Sequence, residues 1–273
     1  MKNIRKILSV LMIGMLVLTA LTGVSAVFGM DYTESEIDPW AEIPAPVVTS
    51  GDYGYQFNAD ETITIAQYNG TDLDIVIPEE LDGYKVTAIG YQAFTYLDMD
   101  QLTIPQTVEV IAPRAFEYCT ISKNVVLPEN VTVQDSAFAY ACLPEIVMIP
   151  AGATLEEDSF AYNENVKILC VDSGASLGES AFGYSEHLKG VVCAEGSRLA
   201  DDAFEYSYDL QTVVLCGNVE TEKDPISYCN DAKISHAAAD DFATVIEAIT
   251  SGTVTSPQKD TSEDLRSQGW FGR

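Results

Sequence analysis

One four-residue phrase, a small residue, Phe, any residue and Tyr, returns six times: AFTY from 93, AFEY from 115, AFAY from 137, SFAY from 159, AFGY from 181 and AFEY from 203. Its phenylalanines, Phe94, Phe116, Phe138, Phe160, Phe182 and Phe204, stand 22 residues apart. Ile226 takes the next step within PISYC, followed by Tyr228 and Cys229 as Phe116 is by Tyr118 and Cys119, so a seventh, worn unit closes the series. Five residues before each Phe stands an aliphatic residue: Ile89, Ile111, Val133, Leu155, Leu177 and Leu199. A phase held over so many units is the signature of a repeat protein.

The clearest units continue from Phe into an L-x-x-V-x-L pattern, Leu210-Gln-Thr-Val213-Val-Leu215 and Leu188-Lys-Gly-Val191-Val-Cys193. VVLP at 125–128 and VMIP at 147–150 supply the same short strand, ended by a proline that cannot donate to a ladder. One such coil has too little apolar surface to offset its ordering entropy. Stacked on copies, it buries Phe, aliphatic and strand residues in a continuous column. The small residue before each Phe lets neighbouring coils approach.

The phrases LTIPQTVEVIAPRAFEYC (102–119) and VVLPENVTVQDSAF (125–138), opened by YNGTDLDIVIPEELDGYKVTAIGYQAF (68–94), resemble the BspA-like leucine-rich repeats of bacterial surface proteins. The resemblance covers about residues 63–230. It implies a leucine-rich-repeat-type, β-dominated α/β solenoid of right-handed coils, about seven of them over 73–230, with one parallel sheet and irregular or 3₁₀ turns opposite. It also implies an exported, non-enzymatic binding or adhesion role. The chain departs from the pattern where Tyr replaces the usual small residue two after Phe.

Open solenoid ends need covers. At the N-terminal end, 51–72 alternates apolar and polar residues around Asn58–Asp60, which predicts a capping hairpin. At the other end, 231–250 places Phe242, Val245, Ile246 and Ile249 on one helical face as a C-terminal cap. Residues 1–26, a basic start and an apolar run closing on Val24-Ser25-Ala26, read as a signal peptide, the alternative being an uncut membrane anchor. Residues 27–50 read as a disordered acidic linker and 251–273 as a disordered polar tail.

Cleavage after Ala26 removes Lys2, Arg5 and Lys6 and no acid, taking the formal charge from −28 to −31. Such a surface repels phosphate backbones and anionic lipid heads, which argues against nucleic-acid partners and against membrane association after cleavage. The expectation is a monomer at the cell surface or secreted, needing no cofactor and no metal.

Chemical motifs are weak. Gly174-Ala-Ser176-Leu-Gly178 matches G-x-S-x-G, but Leu177 is the repeat's ordinary aliphatic position, so Ser176 falls on a coil turn without the strand, helix and base a nucleophile elbow needs. His187 and His236 have no ligand partner at helical spacing. Asp98, Asp100, Asp201 and Asp202 form no calcium loop. Of the six cysteines, Cys170 and Cys193 are placed in the same last inward strand slot of adjacent coils, and Cys119 and Cys142 are also in adjacent coils. Bridges are sterically open to both pairs; free, buried thiols are the favoured expectation.

The outward strand residues make the candidate site. Seven after each Phe come Gln101, Lys123, Glu145, Lys167, Lys189 and Gln211. Eleven basic residues follow Ala26, and three of them stand in this column. The column either selects an anionic partner or merely solubilises the face. Beside it Val126, Met148, Val192 and Val214 form an apolar stripe, and an apolar stripe rimmed by charge suits an extracellular or host surface protein. A second column, Tyr96 through Tyr228, offers either a glycan-binding scaffold or a row packed at the coil corner with its hydroxyls in water. A structural surface protein without a ligand is the third reading.

Overall fold

The computed structural model describes residues 46–250. The expected signal peptide, residues 27–45 of the linker and the tail from 251 lie outside the described residues.

Each coil runs along a front strand, turns into a short back strand, and returns through the Ala-Phe-x-Tyr corner. Successive front strands are Asp74–Val76, Asp98–Thr103, Thr120–Val126, Ile146–Ile149, Ile168–Val171, Gly190–Cys193, Thr212–Cys216 and Lys233–Ala237. These make about eight turns, the last of which has only its front strand. They form two parallel runs of three and five strands, joined by a single bridge from Thr120 to Cys142. Pro144, which has no N–H for a ladder, sits at this break.

The back strands, Tyr84–Ile89 and then the two-residue Val110–Ile111, Thr132–Val133, Thr154–Leu155, Ser176–Leu177, Arg198–Leu199 and Glu220–Thr221, make a second parallel ladder. Its register aligns Ile89, Ile111, Val133, Leu155, Leu177 and Leu199, the aliphatic column of the sequence, and all are buried. The sequence reading expects one sheet; two residues per coil carry too little alternation to announce the second.

The corner makes a third ladder. The Phe116 N–H donates to the Ala137 carbonyl at 2.7 Å and the Tyr118 N–H to the Ala139 carbonyl at 3.1 Å, a pattern repeated coil after coil. The residue before each Phe is almost fully buried between coils, which explains its small size. Inside, the six phenylalanines are at most 1% exposed. From Phe94 to Phe182 their rings stack at 4.7–5.0 Å. Burial of one such ring contributes about 1.5–3 kcal/mol.

At the N-terminal end, strands Val48–Ser50, Tyr53–Phe57 and Ile63–Tyr68 pair antiparallel, so the end of the expected disordered linker is a strand of the cap; the third strand continues into the back ladder, Ile65 beside Ile89. Tyr68 closes the phenylalanine column by stacking on Phe94 at 5.4 Å. At the C-terminal end a 3₁₀ turn, Ala239–Asp241, leads into a helix, Phe242–Thr250. That helix lies against the outer side of front strands Ile168–Val171 and Gly190–Cys193. Its Val245 is buried with Val192, Val214 and Cys216, and Phe242 and Ile246 are half-buried alongside. The sequence reading makes 231–250 a helix that caps the open C-terminal end; instead Lys233–Ala237 is the last front strand, and the helix, only Phe242–Thr250, lies on the outward side of the front sheet.

Candidate binding surface

Along a front strand, residues alternate between core and solvent, so the outward row of the sheet is fixed by register. In Ile146–Ile149 the alternation is plain: Ile146 and Met148 are exposed, Val147 and Ile149 buried. Met148 aligns with Cys170, Cys170 with Val192, Val192 with Val214, and Val214 with Ser235. All these outward residues except Met148 are buried. The stripe read as continuous is therefore open only over its N-terminal half, where Val126 is 39% and Met148 51% exposed. Val192 and Val214 do point outward, but the C-terminal helix covers them, correcting their placement on an open surface.

The polar column beside the stripe is neither aligned nor basic as expected. Gln101 aligns with Asn124, not Lys123, because the register shifts between Met99 and Gln101; its side-chain amide donates to Asp74. Lys123 pairs with Asp100 of the preceding coil at 2.7 Å, and Lys167 with Glu145. The Lys123 ammonium and the Ser122 hydroxyl hold the Asp100 carboxyl below the ordinary carboxylate range. Lys189 is exposed and makes no ion pair among the described residues, and Gln211 is exposed at the same level. The column is thus a row of cross-coil ion pairs with one open cation, not a basic ladder. Its signal lay in the sequence as acid and base one coil apart, 23 residues for Asp100 and Lys123 and 22 for Glu145 and Lys167.

The tyrosine column is unbroken. Tyr96, Tyr118, Tyr140, Tyr162, Tyr184, Tyr206 and Tyr228 stack successively at 4.4–5.0 Å. Ring faces at that spacing are used by neighbours, which leaves edges and hydroxyls to solvent; the terminal rings, Tyr96 and Tyr228, are the most exposed at 70% and 64%. All seven have left-handed backbone, φ 54–61°. The hydrogen bond from the tyrosine N–H to the next coil recurs from Tyr96 to Tyr184, yet a bulky side chain on this backbone is an outlier.

A set of buried donors, whose role the sequence alone does not assign, lies three residues after Phe116, Phe160 and Phe204, whereas the same position holds Leu97 and Ala141 in two other coils. The Cys119 thiol donates to the Phe94 carbonyl at 2.8 Å, the Asn163 amide to the Phe138 carbonyl at 3.1 Å and to Phe160's at 2.7 Å, and the Ser207 hydroxyl to the Phe182 carbonyl at 3.2 Å. These buried donors satisfy carbonyls of the preceding coil, and their shared spacing from Phe was the available clue.

The weak motifs resolve into the repeat. Gly174 has φ +68°, left-handed backbone that suits glycine, and a Cβ at Gly178 would meet the Leu155 carbonyl oxygen at 2.8 Å. Ser176, expected on a coil turn, instead opens the back strand Ser176–Leu177, and the string around it is shaped by coil packing. His187 lies exposed, 3.4 Å from Asp209. Among the described residues no three His, Cys, Asp or Glu side chains converge as a metal site. All six cysteines are free thiols. Cys170 and Cys193 do not share a slot: Cys170 aligns with Val192 and points outward, whereas Cys193 aligns with Val171 and points into the core. Cys142 is exposed, against the expectation of burial.

The sequence profile described as BspA type leucine rich repeat region matches in six copies across residues 74–167 and 140–233, more than half of the chain. Among solved structures, the chain is similar to a leucine-rich repeat protein from Bacteroides capillosus, 26% identical over 46% of this chain and 97% of that one, TM-score 0.37. It is also similar to a leucine rich repeat protein of T. pallidum, 15% identical over 74% of this chain and 95% of that one, TM-score 0.41. A third is a leucine rich cell surface protein from Faecalibacterium prausnitzii, 14% identical over 71% of this chain and 96% of that one, TM-score 0.22. No curated protein matches the chain.

Proposed function

Because this chain belongs to the BspA-type leucine-rich repeat family, we propose that it is an exported, non-enzymatic binding or adhesion module that presents its front sheet to a protein at an extracellular or host surface. The observation that carries this reading is the open apolar row, Val126 and Met148, beside the mixed charges of Lys123, Glu145, Lys167 and Lys189. Aliphatic groups held flat on a rigid sheet cost little entropy to dock, and a charged rim supplies orientation. Exposed ion pairs contribute little by themselves, so the apolar row dominates affinity and Lys189 tunes it. A surface location accords with the basic-apolar leader, and a surface protein is among the similar structures.

Glycan recognition by the tyrosine column ranks second. Sugars dock on aromatic faces, and here stacking occupies the faces of every inner ring. A structural protein without a ligand is the remaining alternative.

Binding of the mature chain to immobilised extracellular-matrix proteins and polysaccharides, followed by surface plasmon resonance, tests the choice. Met148→Asp is expected to weaken protein capture at least about tenfold, the effect of desolvating one charge in an apolar contact, while Tyr184→Ala leaves capture intact. Capture lost with Tyr184→Ala and kept with Met148→Asp would reverse the order. No capture by the parent chain favours the structural reading.

A further inference from the structure

The helix Phe242–Thr250 is fastened lightly. Val245 is its one fully buried side chain among those described, with Phe242 and Ile246 half-buried on the sheet. This contact forms an apolar cluster separate from the continuous core of the coils. The turn that starts the helix has no side-chain cap; Ala238 offers none, and the Asp241 carboxylate accepts only the Ala238 N–H, at 3.2 Å. Nine residues are too few to hold a helix without tertiary contacts.

The sheet itself does not depend on the cover, because strands Ile168–Val171, Gly190–Cys193 and Thr212–Cys216 pair through their own backbones and pack inward on the coil core.

We propose that the C-terminal helix is a strap that opens while the solenoid stays folded, uncovering Cys170, Val192, Val214 and Cys216 and extending the exposed apolar row of Val126 and Met148 along the front sheet. Opening of this kind is sub-global, with the covered face exchanging independently of the core. Closed, the strap occupies the face a partner would use over the C-terminal coils, so partner and strap compete. That competition rests on the binding role proposed above; the opening does not.

The thiols provide the test, because they sample every relevant environment. Cys142 is exposed, Cys170 and Cys216 lie on the covered outward face, and Cys193 faces the core. The intact chain is alkylated with iodoacetamide under native conditions and each site is followed by mass spectrometry. Cys142 is expected to label first, Cys170 and Cys216 together at an intermediate rate, and Cys193 at least about tenfold later, as a separate opening unit requires. Val245→Asp is expected to raise the rates at Cys170 and Cys216 about tenfold or more without changing Cys193. One common rate for Cys170, Cys216 and Cys193 in the parent chain overturns the proposal, as does a Val245→Asp effect of equal size on all three. If that variant does not fold, the order of labelling in the parent chain decides alone.

Discussion

The phenylalanine and tyrosine columns run side by side, two residues apart in each coil, and their rings stack at the same spacing. The phenylalanines are sealed inside the coil, on a backbone that asks nothing unusual of them. The tyrosines stand at the corner with their edges in water, each on left-handed backbone. For a non-glycine residue that conformation costs about 1–2 kcal/mol, and a stacked aromatic pair returns about 0.5–1.5 kcal/mol beyond area burial. The two magnitudes nearly cancel. Equal periodicity therefore conceals unequal energetics: the inner column drives the fold, and the outer one is close to neutral.

The sharpest way to break this contrast is to delete one ring from each column. Phe138→Ala is expected to cost about 3–5 kcal/mol by urea denaturation, since it opens a cavity between two coils. A loss below about 1 kcal/mol, the scale of an exposed-site change, would mean that the inner column is not the main support.

At Tyr140 two substitutions separate stacking from strain. Tyr140→Ala removes two ring contacts and keeps a Cβ on the left-handed backbone, for an expected loss of about 1–2 kcal/mol. Tyr140→Gly removes the same contacts and relieves the strain, leaving stability within about 1 kcal/mol of the parent. Equal effects of the two would show that the backbone conformation carries no cost.

The smallest effect is alkaline. Burial of their rings, followed by a neighbouring tyrosine or carboxylate, raises the phenol pKa of Tyr118, Tyr140, Tyr162, Tyr184 and Tyr206 above the ordinary 10.0. The folded chain thus holds these protons more tightly than the unfolded one. Their contribution to stability is complete below pH 10.0 and is lost as pH rises through the raised values. A spectrophotometric titration is expected to show these phenolates forming later in the folded protein than in urea, with a declining urea midpoint over the same range. Coincident titration curves would remove the shift.

Much of this could be read from the chain itself. The phase of Phe94 to Phe204 fixes the solenoid, because an identical interval admits no other arrangement of a buried ring. The aliphatic residue five before each Phe marks the back ladder, although its strands are too short to be recognised as such. The outward row was less legible. One extra residue around Lys123 shifts Gln101 out of line without altering the spacing of the phenylalanines. Val192 and Val214 follow the alternation of an exposed row and are covered by a helix whose apolar face says that it packs but not where. Patterns within a coil report which side faces the core; contacts between distant segments leave no periodic trace.

Seven phenols held nearly parallel at van der Waals spacing no longer absorb light one by one. Their transition dipoles couple along the axis of the stack, so the near-ultraviolet circular dichroism belongs to the array as a whole. Loss of a central rung divides that array into two shorter ones and changes the band shape more than one part in seven. The protein carries within its surface an optical gauge of whether its coils are still in register.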